Sequence, residues 1–179
     1  NIKDIAAAEK HNLVVDAEGF VWSWGYNGYG QLGDGTSTDK YTPTRIETLS
    51  NIEKVFAYNS VSMAINKDGE LYIWGSGYTK APKKVSLGSK AISATGYCVL
   101  TEDGNVWKLG SVLNKVNKLS NIVDLISSSN YYAALDTDGN VWAWGNAKDW
   151  SIPNAQSKKF FDFLKPSEKL KKGDIIVFA

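Results

Sequence analysis

One ten-residue phrase is written four times in this chain: "DAEGFVWSWG" from Asp16, "NKDGELYIWG" from Asn66, "TEDGNVWKLG" from Thr101 and "DTDGNVWAWG" from Asp136. Its turn glycines, Gly19, Gly69, Gly104 and Gly139, lie 50, 35 and 35 residues apart. The aromatic residue three positions later keeps phase as Trp22, Tyr72, Trp107 and Trp142. A period of this size demands a repeat architecture, because each unit must bury its apolar face against a neighbour.

The units read as strands. An apolar segment precedes each turn ("NLVVD", "SMAIN", "YCVLT", "YAALD") and an alternating aromatic one follows it ("FVWSWG", "ELYIWG", "NVWKLG", "NVWAWG"). The glycine supplies the positive φ of a tight hairpin turn. A strand of small and β-branched residues comes before each hairpin: "IKDIAAA", "IEKVFAY", "KAISAT" and "IVDLISS". Another follows in three units: "TPTRIETL", "APKKVSL" and "NKVNKL". Four short strands per unit are the pattern of a propeller blade. A helical solenoid would place its apolar residues at 3.6 spacing, whereas these alternate.

The first unit, "HNLVVDAEGFVWSWGYNGYGQLGDGTSTDKYTPTRI", resembles the repeat of the regulator-of-chromosome-condensation family. It has the hairpin, the W-G, an N-x-x-G-Q-L-G loop from Asn27 to Gly33, and the later Thr42-Pro43. The other units keep the hairpin but lose that loop, and Leu109 replaces the second Trp of the third. The resemblance spans about residues 1–150 and implies an all-β fold: a partial or completed β-propeller of about four blade-like repeats. The units expected are 1–51, 52–86, 87–121 and 122–150, with 151–179 as a C-terminal cap and closing strand. Within that tail, Lys158 to Leu164 is expected to be a helical cap, and Pro166 stops any longer helix. Family propellers usually have seven blades, so the chain is expected to be a fragment or an arc completed by a partner, self-association included. The opening residues likewise read as the start of a repeat rather than as a leader peptide.

Composition narrows the function. Twenty basic and 19 acidic side chains leave a net charge of +1, which gives no pull toward nucleic acid. No apolar run approaches the roughly 20 residues of a membrane span. The single cysteine, Cys98, excludes an internal disulfide and any site of two thiolates. Cys98 reads as a small buried hydrophobe. His11 is the one histidine and aligns roughly with Ser60 and Asn130. No enzyme motif, cofactor motif or metal-ligand spacing is visible. "DTDGN" resembles the opening of a calcium loop, yet a hairpin turn explains all four copies by one cause. "DGTSTD", Asp34 to Asp39, offers two acids to a cation. "GYNGYGQLGDG" lacks the ending of a phosphate loop, so its glycines serve a tight loop in which Gln31 satisfies backbone groups. The lysine pairs Lys83-Lys84 and Lys171-Lys172 read as solvated surface. The strand tryptophans are expected to pack between blades.

Tyr26, Tyr58, Tyr78, Tyr97, Tyr131 and Trp150 stand outside the strand pattern, at strand ends or turns of successive units. Loops of consecutive blades converge on one face, where amphipathic rings suit a protein-binding surface. The expected function is therefore a non-enzymatic interaction module. Glycan or cell-wall binding, a structural spacer and an enzyme-inhibiting propeller are the alternatives. The resemblance also implies nucleotide exchange on a small GTPase and chromatin binding, but no basic tail or inserted hairpin wedge accompanies them. Compact repeats and a Lys/Asn/Ile-rich composition favour a bacterial surface or secreted protein.

Overall fold

The computed structural model describes residues 1–128 and 131–145, together with the backbone of 158–159. Four four-stranded antiparallel sheets follow one another along the chain. The first comprises β1 (Ile2–Ala7), β2 (His11–Asp16), β3 (Val21–Gly25) and β4 (Lys40–Arg45). The second comprises β5 (Ile52–Tyr58), β6 (Val61–Asn66), β7 (Leu71–Gly75) and β8 (Lys83–Val85). The third holds β9 (Ala91–Thr95), β10 (Cys98–Thr101), β11 (Val106–Lys108) and β12 (Asn114–Lys115). The fourth holds β13 (Ile122–Ser128), β14 (Tyr131–Asp136), β15 (Val141–Gly145) and β16 (Lys158–Lys159). Each is a blade in simple up-and-down order, and no helix occurs among the described residues.

Two expectations change here. The last blade does not end at residue 150, because Ala143 and Trp142 of β15 pair with Lys158 and Lys159. Those two lysines are strand, so a helical cap does not begin at Lys158. The remainder of 151–179, with the closing strand expected there, lies outside the described residues.

The repeated phrase earns its glycine twice. Gly19, Gly69 and Gly104 turn the hairpin at φ +87°, +79° and +72°. Each then presents its carbonyl to the first strand of the next blade. Gly19 accepts from Ile52 N at 3.0 Å, Gly69 from Ala91 N at 2.8 Å and Gly104 from Ile122 N at 3.0 Å. A Cβ on Gly104 would lie 2.8 Å from Asn121 Cα, so the approach as well as the turn requires glycine.

Pleating divides each blade into a front, turned toward the next blade, and a back. On the fronts, Leu13, Val15 and Val21 of the first blade pack with Ile52, Val55, Ala64 and Trp74 from the back of the second. Met63, Ile65, Leu71 and Ile73 meet Ala91, Ala94, Val99 and Leu109 in the second seam. Cys98, Leu100 and Val106 meet Ile122, Leu125 and Ala134 in the third. Strands β6 and β10, covered on both sides, are buried at every residue. The core is thus three seams in series. The residue just before the closing glycine of each phrase faces backward: Trp74 is wholly buried in the first seam, and Trp144 packs on the third.

Candidate interaction site

All hairpin turns of the phrase lie at one end of the blades. The opposite end carries the β1–β2 type turns and the loops after the W-G. Tyr26, Tyr58, Tyr78, Tyr97 and Tyr131 all lie at that opposite end, while Trp150 is outside the described residues. The five do not form one cluster. Tyr58 and Tyr97, from consecutive blades, meet edge to face with ring centroids 5.2 Å apart. Tyr78 neighbours Tyr97, and both burial and that phenol raise the Tyr78 pKa. Burial and Tyr97 do the same for Tyr58. Tyr26 instead forms a separate edge-to-face pair with Tyr29, centroids 6.2 Å apart, with Lys10 Nζ 5.9 Å from its ring. Tyr131 is half-buried.

Sequence reasoning missed Tyr132, which anchors the inter-blade group from below. It is buried, stacks on Trp144 at 5.4 Å between centroids, and has its pKa pushed up to about 12, chiefly by burial. Gly96 passes its ring at 3.0 Å from the position a Cβ would take. The signal was present as the second tyrosine of "YYAALD", but strand alternation turns it inward while Tyr131 turns outward.

The glycine-rich loop is a plug in the first seam. The Gln31 carbonyl accepts from Trp74 Nε1 at 2.9 Å and from Ser62 Oγ at 2.7 Å, both on the second blade. Ser62 Oγ also lies 2.8 Å from His11 Nε2. Because the serine proton is spent on Gln31, the imidazole must donate from Nε2, which leaves Nδ1 the unprotonated nitrogen. Gln31 does satisfy a backbone group, with Oε1 accepting from Tyr29 N at 3.0 Å. Gly33 lies against Trp74, where a Cβ would come 2.7 Å from Nε1.

His11 pairs with Gly25 as Val61 pairs with Gly75, so its structural equivalent is Val61 rather than Ser60. The rough alignment slips by one residue. His11 occupies the first seam and Cys98 the third, so they form no pair. Burial pushes the Cys98 thiol up to about 12 and the His11 imidazole down to about 4. Neither is poised for nucleophilic chemistry.

Asp34 and Asp39 are occupied by the loop itself. Asp34 Oδ1 accepts from Thr36 Oγ1 at 2.7 Å and from Asn27 Nδ2 at 3.1 Å, and Asp39 Oδ1 accepts from Asn27 N at 2.7 Å. No group of acids, His and Cys suited to a metal ion occurs among the described residues.

Trp22 and Trp142 do not lie flat against solvent. Each is half-buried and donates Nε1 to its own turn acid, to Asp16 at 2.8 Å and to Asp136 at 2.9 Å. The second blade substitutes Tyr72, whose hydroxyl donates to Glu70 at 3.1 Å. Lys84 is not merely solvated surface, because it pairs with Glu70 beside that tyrosine. In register opposite each of these aromatics stands a base: Arg45, Lys84, Lys115 and Lys159. Acid and ring are thus tied at the hairpin end of the first, second and fourth blades, and in the second the base Lys84 joins them.

The description "Regulator of chromosome condensation (RCC1) repeat" matches residues 18–65 through one family model and 2–31 through another. The chain carries RCC1-like repeats. It is 42% identical over 77 residues to the mitochondrial RCC1 domain-containing protein RUG3 of Arabidopsis thaliana, covering 42% of this chain and 17% of that protein. It is 41% identical over 73 residues to the human E3 ubiquitin-protein ligase HERC2, covering 40% of this chain and 2% of the ligase. The chain therefore spans only a small part of these relatives. Among solved structures, human WBSCR16 superposes with a TM-score of 0.72 at 19% identity, over 89% of this chain and 52% of that one. Prp20p of Saccharomyces cerevisiae, described with binding properties to Gsp1p and histones, gives 0.74 at 19% identity, over 89% and 49%. These likenesses show the propeller fold. No helix among the described residues of this RCC1-like chain is long and apolar enough to cross a membrane.

Proposed function

We propose that this RCC1-like arc is a non-enzymatic module that holds a protein partner through its tyrosine-bearing end. The observation that carries the reading is the Tyr58–Tyr97 contact, which joins rings of two blades into one surface, with Tyr78 beside it. Rings braced by one another lose little conformational freedom on binding, which favours aromatic hot spots. The half-buried, acid-tied Trp22 and Trp142 give no support to a sugar platform. A bacterial surface or secreted setting goes with the proposal on composition alone, the relatives named above being eukaryotic; protease shaving of intact cells tests it. The function is tested by affinity capture with Tyr58, Tyr97 and Tyr131 changed together to Ala. Partners should be lost while the β-sheet circular dichroism is kept; capture of the same partners by the triple variant refutes the reading.

A further inference from the structure

The three seams define what covers a blade's back, and the first blade's back lacks that cover. Ile52, Ala91 and Ile122 are at most 3% exposed in their seams, whereas Ile2, at the same register position, is 58% exposed. Val55, Ala94 and Leu125 are at most 5% exposed, whereas their counterpart Ile5 is 71% exposed. Trp22, Trp24 and Val14 stand on the same face, half-buried. The chain also carries the chemistry that fits this face. The front of the fourth blade presents Ala133, Leu135 and Val141, all half-buried. Their equivalents in the other three blades are at most 3% exposed.

We propose that the open back of the first blade takes the front of the fourth blade of a second copy, head to tail, and that two such seams close a ring of two chains. The covering residues are those the protein already uses three times between its own blades. The backbone staple has its parts in place as well. In each internal seam the turn glycine's carbonyl accepts from the first strand of the next blade. Gly139 O and Ile2 N are the equivalents that have no such inter-blade bond among the described residues, and the ring would join them between copies. A head-to-tail contact between identical chains closes only when its rotation allows, and otherwise grows into a filament.

Sedimentation equilibrium of the 179-residue chain tests this. The expected result is a reversible species of twice the single-chain mass. Ile5→Glu, at an exposed position, should weaken it on the order of a hundredfold while leaving the circular dichroism unchanged. Ala143→Glu, on the opposite face, should weaken it similarly. An equimolar mixture of the two variants should recover a two-chain species, because each retains the face the other lacks. A single-chain mass throughout, a ladder of higher multiples, indifference to Ile5→Glu, or no recovery on mixing overturns the proposal.

Discussion

Acidification should loosen the first seam, where His11 lies between two blades. His11 is 1% exposed, and its Nδ1 has no hydrogen-bond partner in the structure. A proton added there would place a charge between two blades with nothing to receive it. Desolvation accordingly lowers the folded pKa to about 4 from an ordinary 6.5. The unfolded chain therefore binds the proton first as pH falls. Stability from this residue is complete above about pH 7 and is lost progressively toward pH 4. The fall from 6.5 to about 4 caps the effect at about 3 kcal/mol, of which about 2 kcal/mol is gone by pH 5. The hydrogen-bonded carboxylates do not confuse this window. The Trp22 bond holds Asp16 below its ordinary range. In Asp136, burial pulls upward, but the bonds from Trp142 and Asn140 outweigh it. Their contributions are lost only as pH falls below about 4. Urea unfolding followed by tryptophan emission, from pH 7.5 to 5, measures the loss. The chain should lose about 2 kcal/mol, and His11→Gln should flatten the dependence. Equal slopes for the two proteins would refute the assignment of the acid sensitivity to this imidazole.

Three further outcomes follow from the seams. Gly104→Ala puts a methyl 2.8 Å from the Asn121 Cα at a φ of +72°, and should cost about 1–3 kcal/mol in thermal unfolding followed by circular dichroism. Ser62→Ala strands the His11 Nε2–H and removes one of the two donors to the Gln31 carbonyl; chemical denaturation should show a loss of about 1–3 kcal/mol. Cys98, wholly buried and with its thiol raised to about 12, should be inert to a thiol-reactive chromophore at pH 8 until denaturant is added.

What could be read from the chain was what neighbouring residues decide. The hairpins pair residues a few positions apart around a glycine, so "DAEGFVWSWG" carries both its turn and its strand direction. The first strand of every blade was legible for the same reason. The seams were not, because they join residues such as His11 and Ser62, 51 positions apart. A rough alignment therefore put His11 beside Ser60, although pairing sets it level with Val61. The tyrosines show the same limit. Their placement at one end follows from blade order, but Tyr26 turning to Tyr29 while Tyr58 turns to Tyr97 depends on the loops. Tyr132 was hidden by its neighbour, since only strand parity tells an inward phenol from an outward one.

That same parity explains why two indoles in one phrase have different duties. Both face backward, two residues apart, but the first lies near the hairpin turn and the second near the loop end. At the turn the ring meets its own blade's acid, and the residue types change together. Asp16 and Asp136 stand with tryptophans, and Asn66 with Tyr72, whose hydroxyl bonds Glu70 instead. In the third blade Thr101 stands where the acid would be, and Trp107 Nε1 is left buried without a partner. At the loop end the ring enters the seam itself, and its nitrogen must find the neighbouring blade. Trp74 does so only because the first blade's loop brings Gln31 to it. Where the loop has been shortened, the second position must lose its nitrogen or leave it unsatisfied. Leu109 takes the first course and Trp144, whose Nε1 is buried without a partner, the second. The long loop of the first unit and the buried indole of the second are therefore one feature, divided between two repeats.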